Sequence, residues 1–399
     1  MADWGQGDAR GYRLQSIDLV RGIAIVIMAL DHTRDFYSNA RIDIFDPSQT
    51  TLALFLTRWV THICAPTFIF LAGVSAGLMG ERKTTGELSA FLCQRGLWLI
   101  LVELIVISFA WSFADLGRPD AGGGVAFIMQ VIWAIGAAMV VLAGLVWLPA
   151  RLLLPLGIII IAGHNLLDGF WPASTFPSTP QPVWYAFHSQ ALVVSGNLTF
   201  WFVYPLLPWI GVMVAGFGAA RLFKLPEATR NSVLVRTGCA MIVLFLLLRG
   251  FNAYGEPRDW GTALGGWRTA IISFLNTSKY PPSLQYVLMT LGPAFLLLAF
   301  AERWRGWLGN ALVMFGRVPF LFYVAHLYLL HAGAMLLGML QGYPPAQLVT
   351  GFFNFPDGYG LGLPGVYVVW LVVVTVLYFP CAWFAGVKRQ RRDWWLSYL

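Results

Sequence analysis

The sequence predicts an all-α, polytopic membrane bundle. Charged residues make up only 11% of its 399 residues, apolar runs of membrane-spanning length recur from end to end, and basic residues crowd the connections on one side. A soluble globular domain carries about 25% charged residues. Here hydrophobic residues reach 58% and the mean hydropathy is +0.67. A run of about 20 apolar residues crosses the ~30 Å hydrocarbon layer as a helix.

Ten spans are predicted, near residues 17–36, 59–79, 96–113, 125–147, 151–166, 198–220, 233–250, 283–300, 311–337 and 364–386. The fourth and fifth are parted only around Pro149 and Pro155. The first run opens near Ile17 with no small-residue cleavage site behind it, so it is expected to remain as a helix. The expected organisation is a cytoplasmic segment 1–16, one transmembrane domain 17–387 and a basic cytoplasmic tail 388–399.

Charge placement orients the bundle. With both termini inside, the inner side receives sixteen basic residues: Arg10, Arg13, Arg82, Lys83, Arg95, Arg151, Arg221, Lys224, Arg230, Arg236, Arg303, Arg305, Lys388, Arg389, Arg391 and Arg392. The outer side receives eight: Arg34, Arg41, Arg58, Arg118, Arg249, Arg258, Arg268 and Lys279. That asymmetry is the positive-inside bias. It also explains the net charge of +7 through attraction to anionic lipid rather than to nucleic acid.

The outer connections are long. Segment 167–197 has no Lys or Arg and contains Trp171, Trp184 and His188, and segment 251–282 contains Trp260, Trp267, Asn276, Lys279 and Tyr280. Segment 338–363 is rich in Gly, Pro and Phe. Such loops either shape a substrate opening or lie in the interface, where Trp and Tyr are enriched. The cysteines Cys64, Cys93, Cys239 and Cys381 are scattered without metal-ligand spacing. Walker and HExxH motifs are absent from the sequence.

Polar groups inside the first spans point to a built site. Charge in a spanning segment costs a few kcal/mol or more and normally faces the bundle interior or a water-filled cavity. At 100° per residue, Arg21 and His32 are about 20° apart, and Asp18 and His32 about 40°. Asp18, Arg21, Ile25, Ala29 and His32 therefore form one stripe, with His32 roughly 16 Å beyond Arg21. A buried Asp18–Arg21 pair with an interfacial His32 accounts for the same pattern. Asp31, Arg34 and Asp35 crowd the turn of His32 and favour a functional reading.

The second span repeats the arrangement. Arg58 and His62 share a face at i and i+4, and Pro66 follows one turn later. Gly73, Ser75 and Gly77 make a small-residue packing surface. Two histidines beside Asp31 can form a proton-transfer pair near neutral pH. A third cluster runs from Gly316 to His331. His326 and His331 are about 140° apart, so they face different ways. His326, with Tyr323 near its face, is the one expected to serve the site.

The stretch Ser16-Ile17-Asp18-Leu19-Val20-Arg21-Gly22-Ile23-Ala24 resembles the S-x-D-x-x-R-G-[IL]-A opening of the heparan-α-glucosaminide N-acetyltransferase family, most closely its bacterial members. Four further stretches agree: Asp31 to Phe36, Arg58 to Gly73, Ser273 to Ser283, and Gly316 to His331. The resemblance implies acyl transfer across a membrane, from acetyl-CoA at the cytoplasmic side to an acceptor on the far side. Compared with the lysosomal enzyme, the chain is expected to lack the large luminal domain and the extra span before the motif. It places His32 where that enzyme has Asn and His62 where it has Asp. No match for the lysosomal active histidine stands between Phe36 and Leu56.

Residues and resemblance together give a set of expectations. His32, supported by Asp31 or His62, is the catalytic base or acyl-accepting nucleophile. Arg21, Asp18, Arg317, Tyr323 and His326 are expected along the path of acetyl-CoA, the acyl donor. Arg34, Asp35, Arg58, Asn276, Lys279 and Tyr280 are expected around an extracytoplasmic glycan or amino-sugar acceptor, with Arg58 near the oxyanion. No metal is expected. The implied location is a bacterial cytoplasmic membrane. A transporter or flippase for a polar or lipid-linked solute is the competing class, although the motif order shows no inverted repeat.

Overall fold

The computed structural model describes residues 14–113, 125–168, 181–261, 265–304, 306–349, 355–391 and 393–397. Trp171, Arg10, Arg13, Arg118, Arg305 and Arg392 lie outside the described residues. The described residues are 74% helix and 5% strand.

In chain order the helices are α1 (Gln15–Tyr37), α2 (Leu52–Val60), α3 (Cys64–Gly80), α4 (Thr85–Val102), α5 (Ser108–Ser112), α6 (Val131–Leu145), α7 (Ala150–Gly163) and α8 (Gln181–Phe187). They continue as α9 (Leu206–Gly218), α10 (Glu227–Gly250), α11 (Trp267–Leu275), α12 (Leu284–Phe300), α13 (Trp307–Arg317), α14 (Pro319–Leu340) and α15 (Leu363–Gln390). Strands β1 (Val125–Met129), β2 (Ala191–Ser195) and β3 (Leu198–Phe202) form one sheet in the order β1-β3-β2. The strands correct an all-α expectation. They take up the start of the predicted 125–147 span and the region around the start of 198–220. β2 and β3 pair antiparallel about Gly196, whose φ of +58° suits a residue without a side chain.

Eight helical stretches among the described residues are long and apolar enough to cross a membrane: Leu52–Gly80, Thr85–Ser112, Ala150–Leu167, Leu206–Lys224, Glu227–Gly250, Leu284–Arg303, Pro319–Leu340 and Leu363–Gln390. α6 is apolar but shorter. α1 has the length, but its charges set it apart from the eight. The predicted 311–337 span is instead two helices, broken at Val318. Pro319 has no N–H to continue α13, and it opens α14 in the first turn, where that lack costs nothing. Exposed Leu246, Leu247, Val368, Phe379 and Trp383 on α10 and α15 suit lipid contact.

The chain divides into two compact units: residues 1–64, 105–126 and 300–399, and residues 65–104 and 127–299. In the first, α1 packs along α13, α14 and α15. The α1–α13 crossing is very tight. A Cβ on Gly22 would stand 1.8 Å from the Leu312 carbonyl oxygen, and one on Gly316 1.7 Å from that of Asp18. Only glycine at both positions lets the two backbones touch.

In the second unit, α4 lies on α6 and α7 on α9. Gly73 serves packing, as its setting in a small-residue surface suggested: a Cβ there would meet the Met213 oxygen at 2.1 Å. α4 begins with a capping box between Thr84 and Glu87. Glu103, fully buried, accepts the Trp133 N–H at 2.8 Å and so caps the first turn of α6.

Candidate active site

The site lies in the first unit and is built on α1. One end holds Asp18, buried, with the Arg317 Nε 3.5 Å from its carboxylate. The Gly22–Gly316 approach makes this ion pair possible, because it brings the end of α13 against the start of α1. Arg21 lies on the same first turns of α1 and is partly buried.

The other end of α1 holds a denser cluster. His32 Nδ1 and His326 Nε2 are 2.7 Å apart. The other nitrogen of His326, Nδ1, sits 2.9 Å from the Phe322 carbonyl. A carbonyl only accepts, so Nδ1 of His326 carries hydrogen and donates to it. In the neutral ring the Nε2 of His326 is then an acceptor, and His32 donates to it from Nδ1. The basic lone pair of neutral His32 is thereby assigned to Nε2. Trp111 meets the His32 ring edge-on at 5.0 Å, and Tyr323 stands 6.2 Å from His32 and 5.5 Å from His326.

Asp31 directs both carboxylate oxygens at guanidiniums. Arg34 donates to Oδ1 at 3.1 Å, and Arg58 donates to Oδ2. Arg34 also pairs with Asp35. Four charges thus neutralise one another in a site where Asp31, Arg34 and Arg58 are all buried, which removes most of the cost of placing them there. The sequence supports this locally: Asp31 and Arg34 are i and i+3 on α1, and Arg58 is presented by α2.

His62 falls in a 3-10 turn, Thr61–Ile63, between α2 and α3. It stacks on Phe45 at 6.0 Å, and the Arg58 guanidinium lies 5.9 Å over the same Phe45 ring. His62 therefore joins the Arg58 side of the cluster, while the ring hydrogen-bonded to His32 is that of His326. His331 takes a packing position. Its Nδ1 donates to the Ala110 carbonyl at 2.8 Å, and its ring stacks on Phe113 at 4.0 Å.

Beyond α1, Tyr359 ties the cluster's outer edge. Its hydroxyl donates to the Phe36 carbonyl at 3.0 Å and lies 3.2 Å from that of Ala334, and burial pushes its pKa up. The Arg41 guanidinium covers the Phe355 and Tyr359 rings at 5.4 and 5.6 Å, and burial pulls its pKa down.

Asn276, Lys279 and Tyr280 belong to the second unit. There the Lys279 ammonium lies 5.9 Å over the Tyr204 ring and 5.2 Å over that of Tyr280. The carbonyl of Asn276 accepts from Arg249 at 3.3 Å. Trp111 is among the residues of the first unit's cluster that sequence reasoning missed, with Phe45 and Tyr359. An aromatic at the end of an apolar run carries no mark distinguishing a site wall from a lipid anchor.

The arrangement offers a histidine held in one tautomer, aromatic walls and a neutralised charge cluster beside it. That set suits proton abstraction or nucleophilic attack in an acyl transfer. The family described as "Heparan-alpha-glucosaminide N-acetyltransferase, catalytic" matches residues 13–253. No curated protein matches the chain.

Proposed function

The chain belongs to the heparan-α-glucosaminide N-acetyltransferase catalytic family, and on that premise we propose that it transfers an acetyl group from cytoplasmic acetyl-CoA to an extracytoplasmic sugar amine or hydroxyl. The family makes it a membrane acetyltransferase. The donor, the acceptor class and the sidedness are the proposal.

The observation that carries the reading is the 2.7 Å His32–His326 hydrogen bond, with Phe322 fixing the proton positions. In direct transfer, His32 Nε2 removes the proton from the acceptor as its oxygen or nitrogen attacks the thioester carbonyl. The carbon–sulfur bond breaks and CoA leaves as the thiol after taking up the proton. In the covalent route, Nε2 itself attacks the thioester carbonyl, the carbon–sulfur bond breaks with loss of CoA thiolate, and the acceptor then takes the acyl group from the acetyl-imidazole, its proton passing to the freed thiolate or imidazole. His326 holds the ring and shares the developing positive charge through Nδ1–H of His32. Arg58 and Arg34 are the cations paired with Asp31, the residue next to His32 in sequence. They already neutralise Asp31, so their support for the oxyanion is electrostatic.

The topology that fits this reading has ten spans and cytoplasmic termini. The eight long apolar helices, with α1 and α6 added, give that number. Residues 17–387 then work as one acyltransferase domain between cytoplasmic ends 1–16 and 388–399, in a bacterial cytoplasmic membrane. The Asp18–Arg317 pair and Arg21 fall at the cytoplasmic side, where CoA phosphates are met. The acceptor role of Asn276, Lys279 and Tyr280 rests on the resemblance alone.

The test uses inverted vesicles containing the full chain, acetyl-labelled CoA outside, and a panel of amino sugars and glycans in the lumen. Label in a lumenal acceptor with wild type, and none with His32→Ala at equal protein level, is the expected result. Label transfer unaffected by His32→Ala rejects the catalytic assignment. Solute uptake without CoA dependence favours a transporter.

A further inference from the structure

The second unit holds a cluster that acyl transfer does not use. We infer that His164, Asp168 and His188 form a binding site for one divalent first-row metal ion of the zinc class, contrary to the expectation of a metal-free protein. One ligand atom from each lies within 4.8 Å of the others. His188 Nε2 and Asp168 Oδ1 are 2.8 Å apart.

The histidines are buried, at 2% and 3% exposure. Both ring nitrogens of His164 and the Nδ1 of His188 close no hydrogen bond of ordinary geometry. The Pro282 carbonyl interacts with the His164 ring without closing one. A buried polar atom left unsatisfied is costly, so both rings call for a partner. An ion accepting one lone pair from each ring is such a partner for His164 and His188. Two imidazoles and a carboxylate form a three-ligand set that leaves a position for water, the pattern of open zinc and related sites.

The surroundings are arranged as a metal site's are. Asn165 donates from Nδ2 to the other oxygen of Asp168 at 2.8 Å, and its Oδ1 accepts the Leu284 N–H at 2.9 Å. The carboxylate is thus oriented from the start of α12. Orienting partners of this kind typically change metal affinity 10–100-fold when removed. Trp184 packs 4.8 Å from the His188 ring and closes one side. Asp168, with its side chain 30% exposed, is the way in for the ion. Local sequence places the ligands: His164 and Asp168 sit one turn apart in the 3-10 turn that ends α7, and His188 directly follows α8. The ion would tie the end of α7 to the end of α8.

The experiment uses the purified full chain in detergent, stripped with EDTA and titrated with zinc chloride. Metal content after desalting and calorimetry read the stoichiometry. One zinc per chain with a rise in Tm is expected. His188→Gln and Asp168→Asn should each weaken binding at least tenfold, and Asn165→Ala roughly 10–100-fold. No retained zinc, or binding unchanged in His188→Gln and Asp168→Asn, overturns the inference. Zinc-edge X-ray absorption on the wild type decides the case if those variants do not fold. Two imidazole nitrogens with oxygen ligands support the site, and a shell containing sulfur or lacking imidazole overturns it.

Discussion

His32 and His326 are joined Nδ1 to Nε2 at 2.7 Å, although 294 residues separate them in sequence. The Phe322 carbonyl, fixed by the backbone of α14, decides which nitrogen of each ring carries hydrogen. A tautomer set by the main chain does not depend on a second carboxylate, which leaves Asp31 for its arginines.

The first prediction separates the two histidines. His32→Ala removes the base and should lower kcat by about 10²–10⁴-fold. His326→Gln keeps a hydrogen-bond partner but cannot share charge. It should lower kcat less, leave KM for acetyl-CoA near wild type, and displace the pH profile of kcat. Steady-state kinetics from pH 5.5 to 9 provide the check. An unshifted profile in His326→Gln removes the positioning role.

The second prediction concerns the charge cluster. Asp31→Asn leaves the Arg34 and Arg58 guanidiniums buried with their shared counter-charge gone. Breaking a buried pair by removing one partner costs about 3–5 kcal/mol. Thermal unfolding in detergent should show a large fall in Tm. The double variant Asp31→Asn, Arg58→Leu should recover part of it. An unchanged Tm in Asp31→Asn contradicts the neutralisation argument.

The third prediction is on packing. Gly316→Ala and Gly22→Ala each put a methyl group inside the carbonyl contact of the opposing helix. Overpacking of this sort costs about 1–3 kcal/mol. The two substitutions should be less than additive, because either one pushes the same helix pair apart. Gly86, where nothing lies within 4 Å of an added Cβ, is the control.

The fourth prediction is a pH dependence in the second unit. Burial raises the Glu256 carboxyl, more than the hydrogen bonds from the Ser278 N–H at 2.8 Å and the Ser283 hydroxyl at 2.7 Å lower it. A folded pKa above the unfolded one gives a contribution to stability that is full below the unfolded value. It is lost as pH rises through the folded value. Glu256→Gln cannot titrate. The stability of wild type relative to Glu256→Gln should therefore fall as pH rises from 4 towards 8, as read by Tm. A difference that is flat or grows with pH refutes the assignment.

Much of this architecture was legible in the sequence because hydrophobic period and charge act locally. The spans at 151–166, 233–250 and 364–386 emerge as Ala150–Leu167, Glu227–Gly250 and Leu363–Gln390. The break at Val318 was signalled by Pro319, but the apolar run on both sides concealed it. The β2–β3 hairpin was missed because its Gly196 turn lies between an apolar run and a proline-rich stretch. Five-residue strands there give little period to read. The stripe on α1 followed from helix geometry alone. Its pairings did not: Arg317 and His326 were expected in the site, but their pairing with Asp18 and His32, and the place of Trp111, come from distant segments that tertiary packing brings together.

The most direct measurement is a structure of the wild type in lipid nanodiscs with a non-hydrolysable acetyl-CoA analogue. The account predicts the pantetheine arm along the α1 stripe, with the acyl carbonyl beside His32 Nε2. An analogue bound with its acyl carbon beside other residues, and His32 shielded from it by packed side chains, contradicts the account.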